Sequence, residues 1–185
     1  MSLDQIIKQR RSIRKYKKKP VSNEQIQLLI QAAVEAPSWK NSQTARYHVI
    51  TSQPLLNEFK ERCLPEFNQE NCKDAPVLIV TSFLPNRSGF ERDGTPSNEL
   101  ANGWGCYDLG LHNQNILLKA TELGLGTVWV CFFKPDVIKK EFQLPDNLEP
   151  INILAIGYGK GIAEDSERHS ETRIPMEELV SYDYL

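Results

Sequence analysis

The sequence has no apolar run of about 18 residues, the length expected of a membrane-spanning helix, and its N-terminus lacks the basic-then-apolar order of a signal peptide. Its 185 residues carry a formal net charge of only -2. A chain with so little net charge has no overall attraction to nucleic acid or to an anionic membrane surface. We therefore expect a cytoplasmic protein that binds neither nucleic acid nor membrane.

Cysteine and histidine are scarce, and neither has the spacing of a metal site. The four cysteines form no C-x-x-C pair and fall mostly in predicted helices or strands, so we interpret them as reduced packing residues. His48, His112 and His169 fall in a predicted strand, a predicted helix and a polar loop, which supports neither a metal site nor a catalytic triad.

The common nucleotide and hydrolase motifs are also absent. Neither G-x-x-x-x-G-K-[ST] nor G-x-S-x-G occurs. The glycines at residues 157–161 have the spacing G-x-G-x-G, not G-x-G-x-x-G, and no helical pattern follows them, so a classical dinucleotide fold is not indicated. If the protein is an enzyme, we expect a cofactor to carry the chemistry.

The strongest pattern present runs from residue 105 to residue 131 of a chain whose length suits one domain, residues 1–185. Apolar residues at helical spacing lead to Gly124, a typical helix C-cap, and a β-branched and aromatic run follows from Thr127. This predicts a buried helix and a buried strand, and taken alone the stretch is most simply core without chemistry. The polar residues 112–115 need partners from other segments or from a ligand.

Helices and strands alternate along the rest of the chain. Helices are predicted to begin at Ser2 and Ser22, after Pro54, at Pro135 and at Pro175, and strands are predicted at residues 47–51, 77–81 and 151–156. Residues 68–74 are predicted to be a polar connection, and residues 85–103 a long loop of the kind that forms lids or binding sites or is disordered. Buried strands alternating with helices indicate by themselves a parallel, doubly wound sheet.

Two polar segments are candidates for binding. Seven cations crowd into residues 10–19, where Arg10 and Arg14 can face the same way with the hydroxyl of Ser12 between them, as a phosphate dianion requires. A solvated basic face or a weak nucleic-acid patch explains the same run. Residues 37–43 form a polar turn with one large aromatic, Trp39, which is either a surface loop or a loop that meets a ligand or a partner chain.

Four segments, in this order and over nearly the whole chain, resemble the nitroreductase family of FMN-dependent oxidoreductases. They are Arg-Arg-Ser-Ile-Arg at residues 10–14, Ala-Pro-Ser-Trp-Lys-Asn-Ser-Gln at residues 36–43, residues 113–117 with Gly-Leu-Gly-Thr at residues 124–127, and Ile-Gly-Tyr-Gly at residues 156–159 with Arg-Ile-Pro at residues 173–175. The resemblance implies an α+β fold, a three-layer sandwich with a mixed, mainly antiparallel sheet flanked by helices, in place of a parallel sheet. It also implies an intertwined homodimer with two FMN sites at the subunit interface.

The resemblance further implies which residues bind FMN. Arg10, Ser12 and Arg173 match positions that bind the phosphate and ribityl chain, Gly159 and Lys160 fall near the phosphate, and Arg14 matches a cation near the pyrimidine edge of the flavin. Arg11, in the same motif, is also expected to bind the cofactor. A loop that reaches the flavin from the other subunit matches Pro37, Ser38, Trp39, Lys40 and Asn41. Asn68 matches an amide that contacts the isoalloxazine, and Val130 and Cys131 match the segment whose N–H faces N5. The chain departs from the family at Cys131-Phe132, which adds bulk beside the flavin, and at residues 44–46, which lack the usual proline and aromatic pair.

The implied activity is ping-pong hydride transfer from NAD(P)H through flavin N5 to an electron-poor acceptor, a nitroaromatic or a quinone. No side chain is then catalytic, and no metal is needed. The alternatives are a flavin-binding carrier or sensor with little reductase activity, a relative with oxygen chemistry or a dedicated metabolic substrate, and nucleic-acid binding through the N-terminal basic run, whose affinity would fall steeply with salt.

Overall fold

The computed structural model describes residues 1–160 and 173–183. The helices are α1 (Leu3–Gln9), α2 (Asn23–Val34), α3 (Gln53–Cys63), α4 (Glu66–Asn71), α5 (Gly103–Glu122), α6 (Pro135–Glu141) and α7 (Met176–Leu179). The strands are β1 (Ala45–Ile50), β2 (Val77–Phe83), β3 (Gly126–Val130) and β4 (Glu149–Gly157), and a short 3₁₀ helix spans Trp39–Asn41.

The four strands form one sheet in the order β1-β2-β4-β3, and every neighbouring pair is antiparallel. Strands β2 and β3 are therefore parallel to each other and joined by helix α5, but β4 lies between them. This explains why the alternating sequence pattern indicates a parallel sheet. The β2-α5-β3 crossover between parallel strands exists, but the later strand β4 lies between β2 and β3. The antiparallel sheet confirms the α+β fold.

Helices cover both faces of the sheet, because successive residues of a strand point to opposite sides. One face packs on α2 and α5, with the core residues Leu29, Ala33, Ile79, Ile116, Ala120, Leu154 and Ile156. The other face packs on α3 and α6, with the core residues Leu56, Phe59, Cys63, Leu78, Val80, Ile138, Ile153 and Ala155. All seven residues of β2 are buried, as expected for a central strand covered on both sides. The three-layer arrangement is confirmed.

Local signals set the helix ends. Ser2 and Ser22 each accept a hydrogen bond from the backbone three residues later and form complete capping boxes. Gly124 has φ +71°, the left-handed conformation that ends α5 and turns the chain into β3.

The structure corrects several details. Residues 68–74 were predicted to be a polar connection, but α4 occupies the first part of that segment, because a six-residue helix is too short to show an apolar stripe. Strand β3 ends at Val130, so the following aromatic residues lie outside it. Of the four cysteines, Cys63 and Cys72 are buried, whereas Cys106 and Cys131 are exposed and do not serve as core packing.

Residues 85–103 are not irregular throughout. Phe90 and Pro96 form an antiparallel bridge, Glu91 N–H donates to the Thr95 carbonyl at 2.8 Å, and Ser97 N–H donates to the Gly89 carbonyl at 2.8 Å. We call residues 89–97 the hairpin. The helices in the described part of the chain include none that is both long and apolar enough to cross a bilayer.

Candidate active site

The segment after α1 runs alongside the first residues of β3 and the last residues of β4. Ile13 N–H donates to the Thr127 carbonyl at 2.7 Å, and Ser12 forms a parallel bridge with the same residue. Further on, Tyr16 forms an antiparallel bridge with Gly159, and Lys160 N–H donates to the Lys15 carbonyl at 2.9 Å. The N-terminal basic run is thereby placed beside the glycines after β4.

Close packing holds this segment in place. A Cβ added to Gly126 would lie 2.7–2.9 Å from side-chain atoms of Ile13, so the segment approaches β3 at a distance that only glycine permits. The Tyr16 hydroxyl donates to the Ile13 carbonyl at 2.6 Å and also lies 3.1 Å from the Ala155 carbonyl. Burial raises the pKa of Tyr16, so this hydroxyl stays protonated.

The guanidinium groups of Arg10, Arg11 and Arg173 lie close enough for the charges of the other two to act on Arg10; we call them the arginine cluster. The pKa of Arg10 is lowered first by burial and then by the positive charges of Arg11 and Arg173. Arg11 is tied down by hydrogen bonds to the carbonyls of Lys8 and Arg10. Like charges held together at a partly buried place are unfavourable until an anion binds there, which is the arrangement a phosphate dianion requires.

Most of the residues predicted around a phosphate therefore come together: Arg10, Arg11, Ser12, Gly159, Lys160 and Arg173. Arg14 is exposed, with its Nη1 3.5 Å from the Ser12 carbonyl. Because Arg14 follows Ser12 on the same extended segment, it lies at the margin of this site.

The far end of β3 carries the next group of predicted residues. Asn68 is buried, its Nδ2 donates to the Phe132 carbonyl at 3.0 Å, and its Oδ1 accepts from Asn71 at 3.3 Å. The amide thus fixes α4 against the chain that leaves β3, next to the exposed Cys131. From Gly126 to Val130 the strand is about 14 Å long, so one sheet edge joins the arginine cluster to this group.

Residues 38–43, which we call the Trp39 loop, lie elsewhere. They precede β1, the opposite edge strand from β3, about 14 Å away across three inter-strand spacings. They also lie at the other end of the sheet from the arginine cluster, since the first residue of β1 pairs with the last of β2. In the described part of a single chain, Ser38, Trp39, Lys40 and Asn41 do not meet the other predicted residues.

A buried carboxylate that the sequence analysis missed holds the Trp39 loop. Asp108 of α5 is only 3 % exposed, and its Oδ2 accepts from Trp39 N–H at 3.0 Å and from the Ser88 hydroxyl at 2.6 Å. The Ser42 hydroxyl lies 3.5 Å from the same oxygen. The only sequence signal was an acidic residue next to Leu109 in an apolar part of the helix.

The Trp39 loop has an unusual backbone and is not a free surface turn. Lys40, Asn41 and Gln43 have φ of 47°, 54° and 49°, a conformation that costs about 1–2 kcal/mol for a residue with a side chain. The Trp39 ring packs on Trp104 with centroids 4.6 Å apart, and Lys40 Nζ forms an ion pair with Glu91 at 3.0 Å. The indole is therefore half-buried against the start of α5.

The polar middle of α5 is mostly satisfied within the chain. Asn113 Nδ2 donates to Thr81 Oγ1 at 3.2 Å and to Asn152 Oδ1 at 3.0 Å, and Asn115 Nδ2 donates to the Ala32 carbonyl at 3.0 Å. Three buried atoms here lack a hydrogen-bond partner among residues 1–160 and 173–183: Asn113 Oδ1 and both ring nitrogens of His112. The pKa of His112 is lowered by burial, which outweighs the opposing effect of the Asp108 charge.

No group of three or more His, Cys, Asp and Glu side chains in the described part of the chain is arranged to hold a metal ion. Within one chain, the site beside β3 is built from arginines and backbone amides. The positive charge at one end of the β3 edge and the length of that edge suit an elongated anionic ligand.

Comparison with known proteins bears on this site. The model of the nitroreductase family matches residues 7–71 and 64–158. A crystal structure of a nitroreductase family protein from Clostridium difficile 630 superimposes with a TM-score of 0.82 and 37% identity, covering 100% of both chains. A protein of Methanothermobacter thermautotrophicus, provisionally named NADH dehydrogenase/NAD(P)H nitroreductase, is 30% identical over 85% of this chain and 78% of its own length.

A third relative is known with a ligand. A structure from Desulfovibrio desulfuricans, provisionally named a nitroreductase and determined in complex with FMN, has a TM-score of 0.76 and 26% identity, covering 100% of this chain and 98% of its own. With the family model spanning most of the sequence and the fold shared along the full length, the chain belongs to the nitroreductase family.

Proposed function

We propose that this protein is an FMN-dependent NAD(P)H oxidoreductase that works as a homodimer and reduces electron-poor acceptors. The observation that carries the proposal is the arginine cluster beside the β3 edge, where burial and then the positive charges of Arg11 and Arg173 lower the pKa of Arg10. The FMN complex of the Desulfovibrio relative and the NAD(P)H activity in the name of the Methanothermobacter relative support the same conclusion.

When bound, FMN supplies the redox chemistry, taking a hydride from NAD(P)H at N5 and passing two electrons to the second substrate. The arginine cluster holds its phosphate, with Ser12 and the backbone of residues 159–160 completing the site. The N–H groups at the end of β3, those of Val130 and Cys131, would face the flavin ring. Arg14 lies near the pyrimidine edge, where a positive charge favours the reduced, anionic flavin.

The two separated halves of the site explain why a dimer is needed. The Trp39 loop lies on the opposite sheet edge from β3 within one chain, so it reaches a flavin on β3 only from a second copy. The C-terminal segment supports this assembly, because Met176 and Tyr182 are 68% and 70% exposed and Ile174 and Leu179 are also exposed. Apolar side chains exposed this densely gain about 25 cal/mol per Å² when a partner covers them.

The proposed cycle has two half-reactions at one place. NAD(P)H binds, gives up its hydride and leaves as NAD(P)⁺, and a planar acceptor such as a nitroaromatic or a quinone takes its position. The protein's task is to hold each reactant at about 3–3.5 Å from the ring. No acid or base of this chain is required for that step.

The test begins with the absorbance of the purified protein, since a yellow preparation with a flavin spectrum establishes the cofactor. Anaerobic stopped-flow mixing with NADH or NADPH should then bleach the flavin, and a nitroaromatic or a quinone should restore its colour. Flavin that stays oxidised with both donors would instead indicate a carrier or sensor. The variant Arg10→Glu should fold, by circular dichroism, and lose its flavin.

A further inference from the structure

A cleft of about 580 Å³ lies between the Trp39 loop and the hairpin, away from the arginine cluster. Its lining includes Trp39, Lys40, Asn41, Arg87, Phe90 and Arg92. This volume is within the range of about 300–1,000 Å³ that is typical of small-molecule sites. One wall is the loop proposed to reach the partner's flavin, so the cleft opens beside the reaction.

The negative charge of the single carboxylate in the lining, Glu91, is already balanced by a cation. Lys40 Nζ lies 3.0 Å from each oxygen of Glu91, and the Ser97 hydroxyl donates to Glu91 Oε1 at 2.6 Å. These hydrogen bonds, first that of Ser97 and then that of Lys40, lower the pKa of Glu91, so it is ionised and its charge is balanced by Lys40.

The side chains of the two arginines in the lining are exposed and unpaired. The guanidinium groups of Arg87 and Arg92 make no hydrogen bond or ion pair with any residue in the described part of the chain. Asp93 follows Arg92 in sequence but is used locally, because its Oδ1 accepts from Thr95 N–H at 3.0 Å and from the Thr95 hydroxyl at 2.7 Å. The cleft therefore has two positive charges in excess.

The wall that carries these arginines is anchored. Gly89 has φ +80° and packs so closely that an added Cβ would lie 2.5 Å from the Ala101 carbonyl oxygen and 2.6 Å from the Trp104 ring. Trp104 Nε1 donates to Asn98 Oδ1 at 2.9 Å, which fixes the return from the hairpin. A site whose backbone is already in position loses less entropy when a ligand binds.

We propose that this cleft binds the anionic group, a carboxylate or a phosphate, of a substrate whose planar part lies on the flavin, and that Arg87 and Arg92 determine specificity for it. Trp39 and Phe90 provide apolar walls for the part of the substrate between the two ends. The inference rests on the proposed function, because the cleft adjoins a flavin only through the Trp39 loop.

The two sources of such an anion are a carboxylate-bearing acceptor and the 2′-phosphate of NADPH, and the assay separates them. The variant Arg87→Gln/Arg92→Gln is compared with the natural protein for reduction of 4-nitrobenzoate and of its neutral methyl ester. In a second arm, flavin reduction by NADPH and by NADH is followed by stopped flow. The matched control is Arg62→Gln/Lys73→Gln, which removes the same charge from side chains near α3 and α4 that make only surface ion pairs.

We expect kcat/KM for the carboxylate acceptor to fall about tenfold in the double variant, as the loss of two exposed charge contacts predicts, with the ester nearly unchanged. The preference of the natural protein for the anion should also weaken as salt is added. If the loss appears instead with NADPH and not with NADH, the anion recognised is the 2′-phosphate of the donor.

Equal effects on charged and neutral substrates, in both arms, would overturn the inference. So would loss of flavin in the double variant, since the cleft would then belong to the cofactor site. A failure of the proposed function is distinguishable, because it would abolish flavin reduction in the natural protein as well as in both variants.

Discussion

Asp108 offers the sharpest test of how the Trp39 loop and the segment around Ser88 are held. Its Oδ2 accepts strong hydrogen bonds from Trp39 N–H and the Ser88 hydroxyl, and the Ser42 hydroxyl is too distant to add much. Hydrogen bonds to a charged group contribute about 1.5–3 kcal/mol each, against about 0.5–1.5 kcal/mol for neutral pairs. The variant Asp108→Asn keeps an oxygen acceptor and loses the charge, so we expect it to lower the free energy of unfolding by about 2 kcal/mol.

The local effect should be larger than the global one. Lys40, Asn41 and Gln43 are held in a left-handed backbone that relaxes when the anchor weakens, so the Trp39 amide should exchange with deuterium much faster in Asp108→Asn. Weaker FMN binding should accompany this, since the proposed dimer uses the same loop. Urea unfolding, amide exchange and flavin titration measure the three effects.

The matched control is Ser88→Ala, which removes one donor and leaves the carboxylate and the Trp39 bond in place. It should cost about 1 kcal/mol and leave exchange at the Trp39 amide little changed. If Asp108→Asn exchanges at Trp39 as slowly as the natural protein, the carboxylate does not hold the loop and this reasoning is wrong.

Three more outcomes are expected. Arg10→Met should raise the Kd for FMN about 10–100-fold, which a flavin titration measures. The same variant should make the flavin-free protein slightly more stable, because a positive charge that Arg11 and Arg173 repel is removed, and a melting curve without flavin measures this. Gly126→Ala should cost about 1–3 kcal/mol and weaken FMN binding, because the methyl group displaces Ile13, whereas Gly103→Ala, where the nearest atom would be 3.6 Å away, should do neither. The free energy of unfolding should fall as the pH drops below about 6.5, because His112 takes up a proton in the unfolded chain at a higher pH than in the folded protein. Unfolding measured at several pH values should show that the free energy of unfolding depends less steeply on pH in His112→Gln, by up to about 1.4 kcal/mol per pH unit.

Short-range signals made the fold largely predictable. Capping at Ser2 and Ser22 and the glycine after α5 depend on a few neighbouring residues, and each behaves as the sequence indicates. Strand direction was not available in this way, because a helix between two strands is compatible with either sense. The position of β4 between β2 and β3 depends on packing of the whole chain, which a local pattern does not contain.

In the candidate site, too, residues in local motifs could be predicted, whereas contacts between distant segments could not. Arg10, Ser12 and the glycine at 159 were predicted because family motifs preserve their order, and the structure places their segments side by side. Asp108 was missed because its role depends on Trp39 and Ser88, which come from two distant loops. The pairing of Lys40 with Glu91 was missed for the same reason, and neither contact leaves a spacing that sequence inspection can detect.

The place of β4 has a consequence for the order in which the molecule is made. Strand β3 leaves the ribosome before β4, yet in the finished sheet β4 is the strand to which β3 bonds. Residues 12–16 are made earlier still and must wait as well, because Ser12 bonds beside β3 and Tyr16 beside Gly159. The proposed phosphate site is therefore completed only after β4 has been made, when residues 12–16 can bond beside residues 159–160. A nascent chain cut short before residue 157 lacks one side of that site.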